Sequence, residues 1–397
     1  MEAYIYDGVR SPFGKHGGSL ASVRADDLAA QVIKALWDKT HINTTNIEDV
    51  ILGCANQAGE DSRNIARNAS LLSGLPTSVS GQTINRLCAS GLSSIIEGAR
   101  AVALDEGDII IAGGVENMSR SPYVISKSEN AYSRDNTMFD STIGSRFPNK
   151  RLLEMYGNDT LPETGNNVAR LYEITLHEAN KFAYRSQQRY DLALKRGFFD
   201  EEIVPIKVKN GSVFNDEHPR PAITIEQLDI MTPLFKGGVV TAGNATGIND
   251  GAAAVLIGSL AACEKGLIST EPLVKIVSTA VSGTTPNIMG LGPVDAINKA
   301  LSRANLNIDQ MDIIEINEAF ASQVLGCLKA LHIDFTDSRV NPNGGAIAIG
   351  HPLGASGTRI ALTAARHLKI SGGKYAVVSL CVGMGQGVAV VLENVKG

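Results

Sequence analysis

The sequence predicts an α/β fold made of two related halves, with a further segment inserted between them. The main observation is an internal repeat: CASGLSSIIEGARAVALDEGDIII, which begins at Cys88, resembles GASGTRIALTAARHLKISGGKYAVV, which begins at Gly354. A second pair of segments, at 32–57 and 297–321, shares the order of helix, short loop and apolar strand. Strands that alternate with helices of this length favour a mixed, mostly parallel sheet covered by helices.

The apolar runs IIIAGG and AVVSL are typical of strands buried on both faces. We therefore place one half at residues 1–118 together with 245–270, and the other at 271–397. Between them, residues 119–244 combine polar, turn-rich stretches with a strongly helical stretch. An insertion of this kind between two cores predicts an α+β lid.

Composition and charge exclude several classes of protein. The 397 residues are 44% hydrophobic and 19% charged, as expected of a globular enzyme with two or three domains. The net charge is −5 and no basic run occurs, so we expect no nucleic acid and no membrane surface as a partner. No apolar run approaches the ~20 residues that span a bilayer, and the first residues lack a signal-peptide pattern.

The cysteines are few and scattered, and they form no C-x-x-C pair that would predict zinc or thioredoxin chemistry. Their number is odd, so at least one thiol is free, and we expect a reducing, cytoplasmic location and no metal site. The five cysteines are Cys54, Cys88, Cys263, Cys327 and Cys381.

Cys88 stands where a strand is predicted to end and a helix to begin, in INRLCASGLSS. The free N–H groups and partial positive charge of a helix N-terminus lower the pKa of a thiol, and the thiolate is the reactive form. The alternative is a small buried hydrophobic residue, because free cysteine is often buried. This stretch alone does not decide between the two.

The glycine-rich stretch GGAIAIGHPLGASG favours the catalytic interpretation. Glycines permit tight turns and a close approach of a ligand to the backbone. His351 lies in this stretch, three residues before the position that matches Cys88 in the repeat. If the two strand–helix junctions converge, His351 can accept the proton of Cys88. The alternative is a structural histidine.

Two further motifs lie at predicted strand ends. In SLCVGMGQG, Cys381 ends a buried strand and a hairpin turn follows, so a second thiol there can move a proton. Its alternative is a core cysteine. In EINEAFA, Asn317 and Glu318 either cap the next helix or orient a water molecule in a site.

Together these motifs resemble the thiolase family along the whole chain. The matching stretches are NRLCASGL, AGGVENMSRSPY, TAGNATGINDGAA, NEAFA, NPNGGAIAIGHPLGASG and CVGMGQG, in the family order. The resemblance implies the thiolase fold, a duplicated αβαβα layered core with an inserted lid. It also implies an acyltransferase that cleaves a 3-oxoacyl-CoA with CoA in two ping-pong steps.

The resemblance assigns a role to each catalytic residue. Cys88 is the acyl-accepting nucleophile, His351 activates it, and Cys381 moves a proton at the acetyl-CoA carbon. Asn317 holds a water that forms one oxyanion hole with His351. The backbone N–H groups of Cys88 and Gly383 form the other. The reaction uses coenzyme A as a substrate and implies no cofactor.

The resemblance also implies contacts with CoA and the acyl chain, mostly from the lid. Arg220 lies near the adenine and phosphate end, Thr246 replaces the usual serine of GNASG near pantetheine, and Met289 lines the tunnel. The predicted substrate-binding residues are Arg220, Thr246, Met289, Leu161 and Phe320.

The lid bears on the substrate. Thiolases specialised for acetoacetyl-CoA carry Tyr-His-Met-Gly there, whereas this chain has NDTLPET at 158–164. The segment TIGSRFPNKRLLEMYGNDTLPETGNNVA instead resembles the lid of 3-oxoadipyl-CoA thiolases of aromatic degradation, and it is compatible with degradative 3-oxoacyl-CoA thiolases of fatty acid β-oxidation. Arg146, Lys150 and Arg151 are candidates to bind a far carboxylate, or are solvated surface.

Three alternatives stay open. An acetoacetyl-CoA thiolase shares all the catalytic residues. A ketoacyl synthase shares the fold, but it carries a Cys-His-His arrangement where this chain has Asn317 and Cys381. A non-catalytic acyl-CoA or lipid-binding protein on the same scaffold would be expected to lack Cys88, His351 or Cys381. The family resemblance also implies a homodimer or a homotetramer, the latter joined through a loop at 124–140.

Overall fold

The fold was analysed in a computed structural model, which describes residues 2–395. The first half begins with a buried strand and alternates strands with helices until the lid. Its elements are β1 (Tyr4–Arg10), β2 (Gly14–Lys15), α1 (Ala25–Thr40), β3 (Asp49–Gly53), α2 (Ile65–Leu72), β4 (Ser80–Ile84), α3 (Ser90–Ala103) and β5 (Ile109–Asn117).

The insertion after β5 contains two small hairpins and four helices, the predicted α+β composition. Its elements are β6 (Tyr123–Ile125), β7 (Met138–Asp140), α4 (Lys150–Tyr156), α5 (Leu161–Leu171), α6 (Leu176–Lys195), β8 (Ile206–Val208), β9 (Gly211–Val213) and α7 (Ile225–Asp229). The helix α6 begins with a capping box, in which Thr175 and Glu178 satisfy each other's backbone N–H groups.

The chain then returns to the first half through one strand and enters the second half. The remaining elements are β10 (Asn249–Gly258), α8 (Leu260–Glu264), β11 (Val274–Gly283), α9 (Gly292–Ala304), β12 (Ile313–Ile316), α10 (Ala321–Ala330), α11 (Ala346–Ile349), α12 (Leu353–Ser371), β13 (Tyr375–Val382) and β14 (Gln386–Asn394).

The sheet confirms the duplication that the sequence repeat predicts. The strand order is β12-β13-β14-β11-β1-β10-β5-β3-β4. In the first half β4, β3 and β5 are parallel, and β10 and β1 follow antiparallel. In the second half β12 and β13 are parallel, and β14 and β11 follow antiparallel. A single parallel bridge from Ile314 to Val340 stands where the first half has β4.

Helices cover both half-sheets and also separate them, which gives the layered αβαβα core. The helices α1 and α2 pack on the outer face of the first half, and α9 and α10 pack on the outer face of the second. Between the half-sheets, α3 and α12 share one apolar core with β5, β10, β13 and β14. The domain boundaries that we place at 118, 244 and 270 stay a prediction.

The helices α3 and α12 approach closely because glycines line their contact. A Cβ at Gly91 would lie 2.4 Å from the carbonyl oxygen of Gly354, and a Cβ at Gly357 would lie 2.3 Å from the backbone nitrogen of Leu92. A Cβ at Gly114 of β5 would lie 1.9 Å from the same Gly354 oxygen. Real Cβ atoms are not found at such distances, so only glycine permits this packing.

Within residues 2–395, no helix is both long enough and apolar enough to cross a membrane.

The close contact of α3, α12 and β5 leads to a stability prediction. Gly114→Ala places a methyl group against backbone atoms that cannot move aside, so we expect the free energy of unfolding to fall by at least the ~3 kcal/mol at the upper end of overpacking costs. The control is Gly283→Ala, whose Cβ meets only the Gly385 oxygen, at 4.0 Å. Urea and thermal unfolding measure both. Equal unfolding midpoints for the two variants would contradict the close contact of β5 with α12.

Candidate active site

The candidate site lies where the N-terminal ends of α3 and α12 meet the ends of β12 and β13. Cys88 occupies a short 3-10 turn, Leu87–Ala89, between β4 and α3, as predicted. The hydroxyl of Ser90 holds this turn, because it donates to the carbonyl of Leu87 at 2.7 Å and accepts from the N–H of Arg86 at 2.9 Å. Cys88 is partly accessible, whereas the two residues that follow it are buried.

The environment of the Cys88 thiol differs from the sequence prediction. Burial raises the pKa of the thiol to about 11, although the backbone N–H groups of Gly383 and of Cys88 itself lower it. The charge of Glu116 raises it further. The prediction of a low thiol pKa was therefore wrong, because the cost of desolvating a thiolate exceeds the stabilisation by two N–H groups.

His351 lies in the loop between α11 and α12, and three contacts fix its orientation. Its backbone N–H donates to Oδ1 of Asn249 at 2.9 Å, and its ring Nδ1 lies 2.6 Å from Oγ of Ser356. The Ser356 hydroxyl donates its own proton to the carbonyl of Pro352 at 2.9 Å. We therefore assign the Nδ1–H tautomer, in which Nδ1 donates to Ser356 and Nε2 keeps a lone pair.

The imidazole is held in its neutral form. Burial lowers the pKa of His351 to about 3, and the positive charge of Arg359 on α12 lowers it further. At neutral pH the ring therefore carries no charge, and Nε2 is available as a proton acceptor.

Asn317 follows β12 and contacts this nitrogen. Its backbone N–H donates to the carbonyl of Ser379 on β13 at 2.9 Å, and its Nδ2 lies 3.4 Å from Nε2 of His351. Its Oδ1 is buried and has no hydrogen-bond partner within residues 2–395. Neither Asn317 nor Glu318 caps α10, so the capping alternative for this pair does not hold.

Glu318 instead anchors the loop that carries His351. Its carboxylate accepts hydrogen bonds from the hydroxyl of Ser186 at 2.6 Å, from Nδ2 of Asn341 at 2.8 Å and from the N–H of Ile347 at 3.1 Å. It is fully buried, and burial raises its pKa. These contacts join α6 of the lid to the glycine-rich loop.

Cys381 lies near the end of β13, buried beside the other thiol. Burial raises its pKa well above the ordinary value, and charges on Cys88 and Cys327 raise it further. Cys381 also shares a small apolar cluster with Met289 and Phe320, two of the predicted substrate-binding residues. The structure therefore brings these three residues together.

The other predicted binding residues lie in the lid or directly after it. Arg220 is half-buried, donates to the carbonyl of Ala242 at 3.1 Å and has no carboxylate partner within the described part of the chain. Thr246 uses its hydroxyl to donate to the carbonyl of Ala346 at 3.1 Å. Leu161 is exposed at the first residue of α5.

The three basic lid residues differ in environment. Arg146 is half-buried, and its guanidinium donates to Oδ1 of Asn56 at 3.0 Å. Lys150 and Arg151 are exposed in the first turn of α4. Only Arg146 is therefore directed toward the body of the protein.

Three residues around the site were missed by the sequence analysis. Ser356 lies in the repeated Ala-Ser-Gly motif, and this repetition is a signal that could have found it. Asn249 and Glu116 contact the loop and helix of His351 from strands distant in sequence, and no spacing pattern predicts such contacts.

Comparisons with known proteins agree with this geometry. The family model "Thiolase, N-terminal domain" matches residues 3–261, and "Thiolase, C-terminal domain" matches residues 270–394. A "3-oxoadipyl-CoA/3-oxo-5,6-dehydrosuberyl-CoA thiolase" of Escherichia coli (strain K12) is 52% identical, covering 99% of this chain and 100% of that protein. A "Beta-ketoadipyl-CoA thiolase" of Acinetobacter baylyi is 51% identical, covering 99% of each chain.

Solved structures agree as well. Human mitochondrial 3-ketoacyl-CoA thiolase in complex with CoA superimposes with a TM-score of 0.91 at 39% identity, covering 99% of this chain and 98% of that one. Acetyl-CoA acetyltransferase of Bacillus anthracis superimposes with a TM-score of 0.91 at 37% identity, covering 99% of each chain. With both family models matched in order over nearly its full length, the chain belongs to the thiolase family of acyltransferases.

Proposed function

We propose that this thiolase cleaves 3-oxoadipyl-CoA with CoA, to acetyl-CoA and a shortened acyl-CoA that ends in a carboxylate. The observation that carries the proposal is the set of full-length relatives at about half identity, which are named for 3-oxoadipyl-CoA or its synonym beta-ketoadipyl-CoA. A role in aromatic degradation follows from this substrate. The alternatives are straight-chain 3-oxoacyl-CoA and acetoacetyl-CoA, and the first experiment separates them.

In the first step, the sulfur of Cys88 attacks the keto carbon, C3 of the substrate. Its proton passes to Nε2 of His351, which is neutral and held in the correct tautomer by Ser356. The N–H groups of Cys88 and Gly383 stabilise the tetrahedral oxyanion, and each such donor is worth about 3–4 kcal/mol. Because the resting thiol and imidazole are both neutral, the proton moves as the attack develops.

The C2–C3 bond then breaks, and its electron pair stays on C2 as the enolate of acetyl-CoA. The protonated His351 and a water held by Asn317 stabilise the enolate oxygen. The Oδ1 of Asn317 is buried and has no hydrogen-bond partner in the described part of the chain, which supports this role, because such an atom is expected to hold an ordered water. Cys381 gives its proton to C2, and acetyl-CoA leaves.

In the second step, free CoA gives its thiol proton to Cys381 and attacks the acyl group on Cys88. The tetrahedral intermediate expels the sulfur of Cys88, which recovers its proton from His351. Cys88, His351 and Cys381 thus return to the protonation states in which they began, as a ping-pong scheme requires.

The lid supplies the contacts that we propose for CoA. Arg220 is a half-buried cation without an acidic partner among residues 2–395, and this supports a contact with an anionic phosphate. Met289 and Phe320 share an apolar cluster with Cys381, and Thr246 follows Ala245 of that cluster, which supports contacts of these residues with the substrate. Leu161 at the start of α5 is exposed at the rim.

Arg146 is our candidate for the far carboxylate of the substrate. It is the one basic residue of this lid segment that is not exposed, and its single side-chain hydrogen bond, to Asn56, leaves further N–H donors. Asn56 follows Ala55, whose backbone carbonyl accepts a hydrogen bond from Nδ2 of Asn85. Asn85 lies three residues before Cys88. Arg146 is thus linked to the turn that carries the nucleophile.

We also propose a homodimer or homotetramer in the cytoplasm. The edge strand β4 has unpaired backbone groups on one side, which favours pairing with another chain. The hairpin β6–β7 exposes Tyr123, Ile125 and Met138, which supports the predicted tetramer contact at 124–140. All five cysteines are unpaired, which supports a reducing compartment.

The proposal predicts a substrate order in a CoA-dependent thiolysis assay. We expect kcat/KM for 3-oxoadipyl-CoA to exceed that for acetoacetyl-CoA and for straight-chain 3-oxoacyl-CoAs. Cys88→Ala should lose at least ~10³-fold in kcat with every substrate, because the acyl-enzyme cannot form. A higher kcat/KM for the uncharged acyl chains would contradict the proposed substrate. Full turnover by Cys88→Ala would contradict the mechanism and favour a non-catalytic role for this residue.

Arg146 can be tested by a selective loss. Arg146→Ala should lower kcat/KM for 3-oxoadipyl-CoA by about 10- to 100-fold, the value of a charge-assisted hydrogen bond of ~1.5–3 kcal/mol. It should leave kcat/KM for acetoacetyl-CoA unchanged. The matched control is Lys150→Ala, which removes an exposed charge of the same segment. A similar loss on both substrates, or the same loss in the control, would contradict the assignment.

A further inference from the structure

The duplicated fold contains two equivalent strand–helix junctions, but only one of them carries the nucleophile. Aligning the Ala-Ser-Gly motifs makes Cys88, before α3, the counterpart of Gly354, at the start of α12. Both positions present a backbone N–H at a helix N-terminus, where the partial positive charge favours an anion. At the first junction the N–H groups face the sulfur of Cys88.

At the second junction the anion is supplied by the protein itself. Oε2 of Glu116 accepts a hydrogen bond from the N–H of Gly354 at 2.9 Å. The same oxygen accepts from the N–H of Ala55 at 2.9 Å, and Oε1 accepts from the N–H of Asn56 at 3.0 Å. Glu116 is buried, so its carboxylate is satisfied by three backbone donors from two segments of the chain.

The two strands that reach these junctions differ at this position. Counting from the matched positions Asp108 and Lys374, Glu116 of β5 corresponds to Val382 of β13. The next residue after Val382 is Gly383, whose N–H faces the first junction. The second half thus presents an apolar side chain and leaves the first junction free for the thiol, whereas the first half places a carboxylate in the second junction.

We propose that Glu116 is a positioning residue that closes the second junction and holds His351 in register with Cys88. Gly354 lies three residues after His351, and Ala55 and Asn56 belong to the half that carries Cys88. The carboxylate therefore ties the loop of the base to the half of the nucleophile. This inference rests on the proposed roles of Cys88 and His351.

The carboxylate also acts on the thiol of Cys88, without contacting it, through its charge. Burial raises the pKa of Glu116 to about 7, so at pH 8 most of the carboxyl groups are ionised, and their negative charge raises the pKa of Cys88. The other ionisable groups around Glu116 line one small cavity with it. They are Cys54, Glu60, Asp61 and Arg120, of which Glu60 and Arg120 form an ion pair.

The test uses Glu116→Gln in the full chain, with two readouts. The first is turnover of acetoacetyl-CoA with CoA, for which we expect kcat to fall at least ~10-fold, toward the ~100-fold that an ångström of misplacement costs, with little change in KM. The second is the rate of Cys88 alkylation by iodoacetamide at pH 8, for which we expect an increase. Loosening that merely exposes the thiol would raise this rate at every pH, whereas loss of the negative charge shifts the pH profile of the rate to lower pH, so the profile is compared with that of the unmodified protein.

A second variant separates the effect of the carboxylate charge from that of the hydrogen bond to Gly354. Glu116→Asp keeps the charge, but its shorter side chain cannot hold Gly354, so we expect a lower kcat with an unchanged alkylation rate. The control Asp61→Asn removes a neighbouring charge that does not contact Gly354, and both readouts should stay near those of the unmodified protein. If Glu116→Gln does not fold, Glu116→Asp decides alone.

Two results would overturn the inference. One is a kcat of either Glu116 variant within twofold of the unmodified protein. The other is a lower kcat of Glu116→Gln with unchanged or slower alkylation. Failure of the proposed function gives a different result, because the unmodified protein would then prefer an uncharged 3-oxoacyl-CoA, whereas the two readouts compare each Glu116 variant with the unmodified protein and do not depend on that preference.

Discussion

The contact between the N-terminal ends of α3 and α12 determines where the candidate nucleophile and the candidate base lie. It brings the turn of Cys88 and the loop of His351 to one place, although the two residues are far apart in the sequence. Only glycines at 91, 114 and 357 permit the backbones to come so close. The two half-sheets follow from this contact, because each packs one face on the shared central helices and the other on its own outer helices.

Burial has two opposite consequences at the site. It keeps the thiol of Cys88 protonated and the ring of His351 unprotonated, so the resting pair carries no charge. Burial also lowers the effective dielectric constant around the site, and hydrogen bonds to a developing negative charge are stronger in such surroundings.

Sequence patterns predicted the duplicated core and the inserted lid, because repeats and glycine-rich turns are local signals. The roles of the four candidate catalytic side chains came from the family resemblance and stay a prediction. The sequence patterns did not predict the direction of the Cys88 pKa. That direction depends on the balance between desolvation and two N–H groups, and burial is a property of the whole fold. The partners Asn249 and Glu116 were missed for a related reason: they contact the His351 loop and the start of α12 from strands distant in sequence.

The central claim is that Cys88 carries the acyl group between two half-reactions. Intact-mass analysis of the protein after incubation with 3-oxoadipyl-CoA, in the absence of free CoA, tests it most directly, with peptide mapping to locate the modification. The account predicts the mass of one shortened acyl group that ends in a carboxylate per chain, located on Cys88 and lost when free CoA is added. An acyl group on Cys381, or an unmodified chain that still turns over 3-oxoacyl-CoA, would contradict it.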